Sequence, residues 1–274
     1  MEDAWSTLRR YTQARIGQGR AGCGIRTPTL LDFQLAHALA RDAVHLPWDV
    51  EGFAAGVRSQ GLEPVLLSTP VQDRSQYLKR PDLGRVLDSA SRDRLAARRG
   101  AAVDVALTFT NGLSSTALAT HGLELLQAIA AAFGRGDFAS GASGAAAPAA
   151  ASPLSLGPVC LVPDGRVALS DEIGVLLKAR LSVIVVGERP GLSAADSLGL
   201  YLTYNPDPAN TDAERNCISN VRPPEGLSYR DAAAKLAYLA RQALRRGLSG
   251  VALKDDMPVL ERLKTDPVPS MPLK

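Results

Sequence analysis

A short run of β-branched residues constrains the fold of this chain more than any other feature. Residues 183–186 read Val-Ile-Val-Val, follow Leu181 and end at Gly187. Continuous apolar runs of this length are typical of strands that are buried on both faces of a parallel sheet. Ligands of open α/β sheets bind just beyond the carboxyl ends of such strands. Glu188 and Arg189 stand at that point, so we expect a binding site there.

Strands and helices alternate on both sides of this run. We predict a strand at residues 103–109, a polar turn at 110–116 rich in helix-capping side chains, and a helix at 117–133. A strand at 158–163 and an Asp-Gly turn follow, with Val167 in a short return strand. The remaining predicted helices are one at 170–180 that is capped by Ser170 and one at 229–245. The pattern predicts an α/β fold with a mostly parallel sheet flanked by helices.

The first hundred residues favour helices with many basic side chains. Apolar spacing predicts one helix from Trp5 to Ile16, a second at residues 29–44, and a third that continues through Val86 and Leu95. The arginines of this region fit either a solvated or subunit-facing surface or the recognition of an anion. We therefore divide the chain into a helical, subunit-contacting region at 1–100, an α/β domain at 101–254 and a loose tail at 255–274.

Composition excludes several classes of protein. A net charge of +3 over 274 residues is too small to indicate nucleic-acid binding. No run reaches the roughly 18 apolar residues of a membrane-spanning helix. The three cysteines are widely spaced and odd in number, so they outline neither a disulfide framework nor a zinc site. We predict a cytoplasmic protein that contacts neither membranes nor nucleic acid, with a flexible low-complexity insertion at 134–157.

No catalytic constellation is visible. The three histidines are scattered along the chain and do not indicate a Ser-His-Asp triad or a histidine-based metal site. Neither a GxGxxG motif nor a P-loop follows any predicted strand. We therefore predict no catalytic residues and no metal ligands in this chain. The features left for a site are the turn at 110–116, Val167, Glu188 with Arg189, and Cys217.

Five blocks, taken together, resemble the small chain of ethanolamine ammonia-lyase. They occur in that family's order between about Leu8 and Gly250, and VGERPGL and CISN are the most specific of them. The blocks are RPDLGR at 80–85, NGLSST at 111–116, DEIG at 171–174, VGERPGL at 186–192 and NCISN at 216–220.

The resemblance implies an adenosylcobalamin-dependent lyase that converts ethanolamine to acetaldehyde and ammonia by radical chemistry. In that family a large chain binds the substrate, and the complex contains six large and six small chains. The small chain is similar to a Rossmann-like domain with an N-terminal helical extension, and it closes over the cobalamin. Three cofactor-contacting positions of the family match Val167, Glu188 and Cys217. A bacterial microcompartment becomes a second location to consider.

Each of these positions also has a simpler interpretation. Glu188 could pair with Arg189, Val167 could belong to the core, and Cys217 could be a buried small hydrophobe. Two other functions remain open from the residues alone. One is a stand-alone Rossmann-like nucleotide-binding protein with residues 110–116 as its phosphate loop, and the other is an assembly subunit without a catalytic role.

Overall fold

The strands of the chain form one sheet with helices on both faces. This architecture comes from a computed structural model, which describes residues 4–98, 100, 102–134 and 153–257. The strands are β1 (Pro64–Leu66), β2 (Val105–Thr110), β3 (Leu156–Leu161), β4 (Leu181–Gly187), β5 (Leu198–Tyr204) and β6 (Arg215–Val221). The α-helices are α1 (Ala4–Arg9), α2 (Thr27–His45), α3 (Val50–Ser59), α4 (Arg74–Lys79), α5 (Ser89–Ala96), α6 (Ser115–Ala132), α7 (Leu169–Leu176) and α8 (Tyr229–Arg246).

The sheet has the order β1-β3-β2-β4-β5-β6. The first four strands run parallel, whereas β5 and β6 are antiparallel to their neighbours. All seven residues of β4 are buried, because the strand lies between β2 and β5 and is covered on both faces. This confirms the buried strand that the β-branched run predicts, and with it the mixed α/β class.

The two faces of the sheet carry cores of different size. Helices α3, α6 and α8 pack on one face, where Phe109, Ile129, Val183 and Leu236 belong to the larger cluster. Helices α5 and α7 cover the other face with a smaller cluster that includes Ile173. On this second face Tyr201 is half-buried and Cys217 and Ser219 are exposed, whereas Leu200, Leu202 and Ile218 of the same two strands are buried. The part of the second face beyond α7 is therefore an open platform.

Two local predictions in the first hundred residues are wrong. Helix α1 ends at Arg9 rather than at Ile16, because the chain turns back and the Arg9 side chain donates hydrogen bonds to the carbonyls of Ile16 and Gly17. No single helix runs through Val86, which is extended, and α5 begins only after Asp88 caps it by accepting from the Ser91 N–H. The run at 65–68, in contrast, favours a short strand, and β1 confirms it by joining the sheet next to β3.

The predicted return strand at Val167 is also wrong. Residues 167 and 168 form a turn that leads directly into α7. Ser170 lies inside this helix instead of capping it, and its hydroxyl donates to the Val167 carbonyl at 2.9 Å. Most of the predicted insertion at 134–157 and of the tail at 255–274 lies outside the described residues.

Candidate functional site

A cleft of about 390 Å³ opens where the carboxyl ends of β2 and β4 meet the turn that follows β3. Its walls include Val167, Glu188 and Ser219. A second cavity of about 460 Å³ lies at the opposite edge of the sheet, around Glu63 and Arg98. Because ligands of open α/β sheets bind at the carboxyl edge, the first cleft is the candidate site.

The turn after β2 packs directly on the end of β4. A Cβ at Gly187 would overlap the carbonyl oxygens of Asn111 and Ser114, and a Cβ at Gly112 would overlap Val186. The Leu113 N–H donates to the Gly187 carbonyl at 2.9 Å. Glycine is thus required at residue 187 for the two strand ends to lie so close.

The polar groups of this turn are used inside the protein. Thr110 Oγ1 accepts from the Gly165 N–H at 2.9 Å, and Asn111 Oδ1 accepts from the Asp164 N–H at 2.7 Å. Ser114 caps α6 by accepting from the Ala117 N–H, and its hydroxyl donates to the Ala195 carbonyl at 2.7 Å. These contacts join three loops to one another. Few polar groups of the turn remain free to bind a phosphate, and this argues against its interpretation as a nucleotide-binding loop.

Glu188 is held at the mouth of the cleft by the last residues of β6. One carboxylate oxygen accepts from the Ser219 hydroxyl at 2.5 Å, and the other accepts from the Asn220 N–H at 3.1 Å. Asn220 has a φ of 59°, a left-handed conformation that is uncommon for residues other than glycine. Among the described residues no ion pair joins Glu188 to Arg189, so the simpler interpretation of this residue as the partner of Arg189 is wrong.

Val167 lies in a turn that is held in place by residues of the N-terminal half of the chain. The turn begins at Asp164, which has a φ of 52° and pairs with Arg74 at 2.5 Å. The Arg166 N–H donates to the Gly84 carbonyl at 2.7 Å, and a Cβ at Gly84 would stand 2.8 Å from the Asp164 carbonyl oxygen. Block 80–85 therefore supports the turn, and Val167 is half-buried at the cleft rather than in the core.

Cys217 lies beside the cleft on the open platform. It pairs in register with Tyr201 of β5, and it is exposed, so its interpretation as a buried hydrophobe is wrong. Loss of hydration raises the pKa of its thiol, while a hydrogen bond with Tyr201 opposes that rise. Tyr201 and Ser219 line the cleft and Cys217 does not, so the structure brings Val167 and Glu188 together and places Cys217 next to them.

A buried ion pair below the platform links the block at 171–174 to Arg215, the residue just before the block at 216–220. Arg215 Nη2 lies 2.7 Å from Asp171 Oδ2, and the two side chains are only 2% and 1% exposed. Burial raises the pKa of Asp171 to about 6, against the opposing attraction of Arg215. The pair fixes the start of β6, the strand that carries Ser219 of the cleft, to the first turn of α7, the helix that follows the Val167 turn.

Sequence reasoning missed several residues of the cleft. Tyr77, Arg166, Tyr201 and Ser219 all line it. Ser219 belongs to the block at 216–220, whereas the other three carry no recognisable signal in the sequence. The described residues contain no group of three or more side chains suited to a metal ion. No helix in the same part of the chain is long and apolar enough to cross a membrane.

Comparison with known proteins identifies the family of this chain. The family model described as ethanolamine ammonia-lyase light chain matches residues 2–254. The chain belongs to this family. It is 49% identical over 261 residues to the ethanolamine ammonia-lyase small subunit of Azotobacter vinelandii, covering 94% of this chain and 90% of that protein. The proteins of the same name from Ralstonia nicotianae and Pseudomonas fluorescens are also 49% identical, with 95% and 97% of this chain and 92% and 91% of theirs covered.

Membership in the ethanolamine ammonia-lyase light-chain family confirms the resemblance that the five blocks indicate. Three of these blocks contribute residues to the cleft. They are the blocks at 111–116 with Gly112, at 186–192 with Glu188 and at 216–220 with Ser219. The blocks at 80–85 and 171–174 support the cleft from outside. Gly84 packs against the turn that contains Val167, and Asp171 forms an ion pair with Arg215 of β6. The blocks are thus separate in sequence but adjacent in the fold.

Proposed function

We propose that this chain is the small subunit of an adenosylcobalamin-dependent ethanolamine ammonia-lyase and forms one side of the cofactor pocket. The cleft at the carboxyl edge of the sheet, which unites Val167 and Glu188, carries this proposal. When bound, the cofactor supplies the radical chemistry that converts ethanolamine to acetaldehyde and ammonia. This chain binds and orients it, and a large catalytic subunit binds the substrate.

The chemistry of the cleft fits one edge of a corrinoid. Cobalamin carries many primary amides, which donate hydrogen bonds, and each Glu188 oxygen keeps a lone pair beyond its contacts with Ser219 and Asn220. No described residue accepts a hydrogen bond from the Val167 N–H, so this donor is available for an acceptor of the cofactor. Cys217 and Tyr201 offer the open platform on which a flat group can rest.

The size of the cleft supports a shared pocket. A volume of about 390 Å³ is at the lower end of the range for drug-sized ligands, and cobalamin is much larger than those. One side of the cofactor therefore fits against this chain and the rest requires a second chain. This is the division of labour expected of a subunit in which no histidine lines the cleft.

Several finer features belong to the same proposal. We infer a Rossmann-like domain at 101–254 that follows an N-terminal helical, subunit-contacting region at 1–100. The assembly is a hetero-oligomer of six large and six small chains. A cytoplasmic location, free or inside a bacterial microcompartment, stays a prediction.

Reconstitution tests this function directly. The chain is mixed with the large subunit and adenosylcobalamin, and ammonia release from ethanolamine is measured. We expect activity well above that of the large subunit alone. Equal activity with and without this chain would exclude a role in the lyase and favour the stand-alone nucleotide-binding alternative. A shift of the melting temperature by nucleotide rather than by cobalamin would support that alternative.

Replacement of Glu188 by Ala is expected to weaken adenosylcobalamin binding by the assembled enzyme about tenfold, because one net hydrogen bond to the cofactor is lost. Absorbance titration measures this affinity. Glu63→Ala is the matched control, since Glu63 pairs with Arg98 at the opposite edge of the sheet. Unchanged affinity in Glu188→Ala would remove this residue from the site.

Alkylation of Cys217 offers a second check of the site. Cys217 and Cys23 are exposed, whereas Cys160 is buried. We expect adenosylcobalamin to slow the reaction of Cys217 with iodoacetamide in the assembled enzyme by about tenfold or more, because the cofactor covers the thiol. The rate at Cys23 should not change with the cofactor. Equal rates at Cys217 with and without cofactor would place the corrinoid elsewhere.

A further inference from the structure

Arg166 is an immobilised cation in the wall of the cleft that the proposed function leaves unused. Its guanidinium carbon lies 4.1 Å from the centre of the Tyr77 ring, and Nη2 donates to the Tyr77 carbonyl at 3.1 Å. Tyr77 is itself fully buried, and its hydroxyl donates to the Gly165 carbonyl at 3.0 Å. The guanidinium is thus fixed in position before any ligand arrives.

Two neighbouring donors at this place have no partner. The Nε of Arg166 is buried and makes no hydrogen bond in the described part of the chain. The next residue, Val167, contributes the unused N–H described above. Helix α7 begins two residues later, at Leu169, so the positive end of its dipole lies beside both donors. A buried unpaired donor is costly unless a ligand satisfies it.

The charges around the cleft favour an anion. Its lining contains the cations Arg166 and Arg189 and one carboxylate, Glu188. Glu188 already accepts from Ser219 and Asn220, and among the described residues no carboxylate forms an ion pair with Arg166 or Arg189. The nearby Asp164 pairs with Arg74 instead, at 2.5 Å. The cleft therefore keeps uncompensated positive charge.

We propose that Arg166 and the Val167 N–H form an anion subsite that binds the phosphodiester of the cobalamin nucleotide tail. The inference rests on the proposed function, which gives the cleft a corrinoid ligand. The phosphodiester is the one anionic group of cobalamin, and a guanidinium fork with an adjacent backbone N–H suits its two free oxygens. Glu188, on the other wall, then faces the neutral amides, so the two walls orient the cofactor in one direction.

The test compares two corrinoids in the assembled enzyme by absorbance titration. Adenosylcobalamin carries the phosphodiester, whereas adenosylcobinamide lacks the whole nucleotide. We expect Arg166→Gln to weaken adenosylcobalamin binding about 30-fold, since a charge-assisted contact is lost, and to change adenosylcobinamide binding less than about twofold. Arg98→Gln, at the opposite edge of the sheet, should change neither affinity.

The other outcomes are decisive as well. Equal weakening of both corrinoids in Arg166→Gln, or no weakening of either, would overturn the subsite. If Arg166→Gln does not fold, Arg166→Lys keeps the charge and removes Nε, and it should again weaken only adenosylcobalamin. Failure of the unmodified enzyme to bind either corrinoid would instead refute the proposed function, and the subsite with it.

Discussion

Replacement of Asp171 by Asn is expected to lower the free energy of unfolding by about 3 to 5 kcal/mol, because it leaves the buried Arg215 without its only buried counter-charge among the described residues. The two side chains are 1% and 2% exposed, and no described group accepts a hydrogen bond from Arg215 Nη1. The loss should also loosen β6, which begins at Arg215 and ends beside Glu188. Denaturant unfolding of the purified chain measures the change.

Asp212→Asn is the matched control for this experiment. Asp212 Oδ1 lies 3.4 Å from the Nε of the same arginine, but its side chain is 98% exposed. Solvent screens such a pair, so we expect a change of no more than about 0.5 kcal/mol. A similar loss in both variants would show that burial of the Asp171 pair is not what stabilises this part of the fold.

Replacement of Gly187 by Ala is expected to destabilise the chain by about 3 kcal/mol, because a methyl group there overpacks a closed contact. The added Cβ would overlap backbone carbonyl oxygens of Asn111 and Ser114, which cannot rotate away as a flexible side chain can. The turn at 110–116 must then move off β4, and the cleft changes shape with it. Thermal unfolding and the cobalamin affinity of the assembled enzyme should both report the change.

Gly191→Ala separates this effect from a general sensitivity of the loop to alanine. Gly191 follows in the same block, and the nearest atom to an added Cβ is the Ala194 carbonyl oxygen at 3.7 Å, an ordinary contact. We expect a change below about 0.5 kcal/mol. If Gly187→Ala is equally mild, the close approach of the two strand ends is not needed for the fold.

Local patterns predict the parallel part of the fold well. The strand β4 and the helix α8 have the expected type and nearly the expected bounds, because each pattern arises from burial of a continuous face. Strand β6 is missed because its open face carries Cys217 and Ser219, so the apolar alternation of an ordinary strand is absent. Its buried Arg215 depends on Asp171, 44 residues earlier, and such a pairing is invisible in sequence.

The candidate site follows the same rule. Glu188 can be placed at the cleft from the sequence, because it directly follows a buried parallel strand. Its two donors cannot, since they lie 31 and 32 residues further on. Arg166 gives no signal either, because its fixed position depends on Tyr77, 89 residues before it. The specific chemistry of the cleft thus arises from contacts between distant segments, which only the fold brings together.

The structure of the assembled lyase with bound adenosylcobalamin tests the central claim most directly. We predict that the cofactor lies between the two subunits, within hydrogen-bonding distance of Glu188 and of the Val167 N–H, with Cys217 beneath it. A corrinoid enclosed by the large subunit alone, with this cleft open to solvent, would contradict the account.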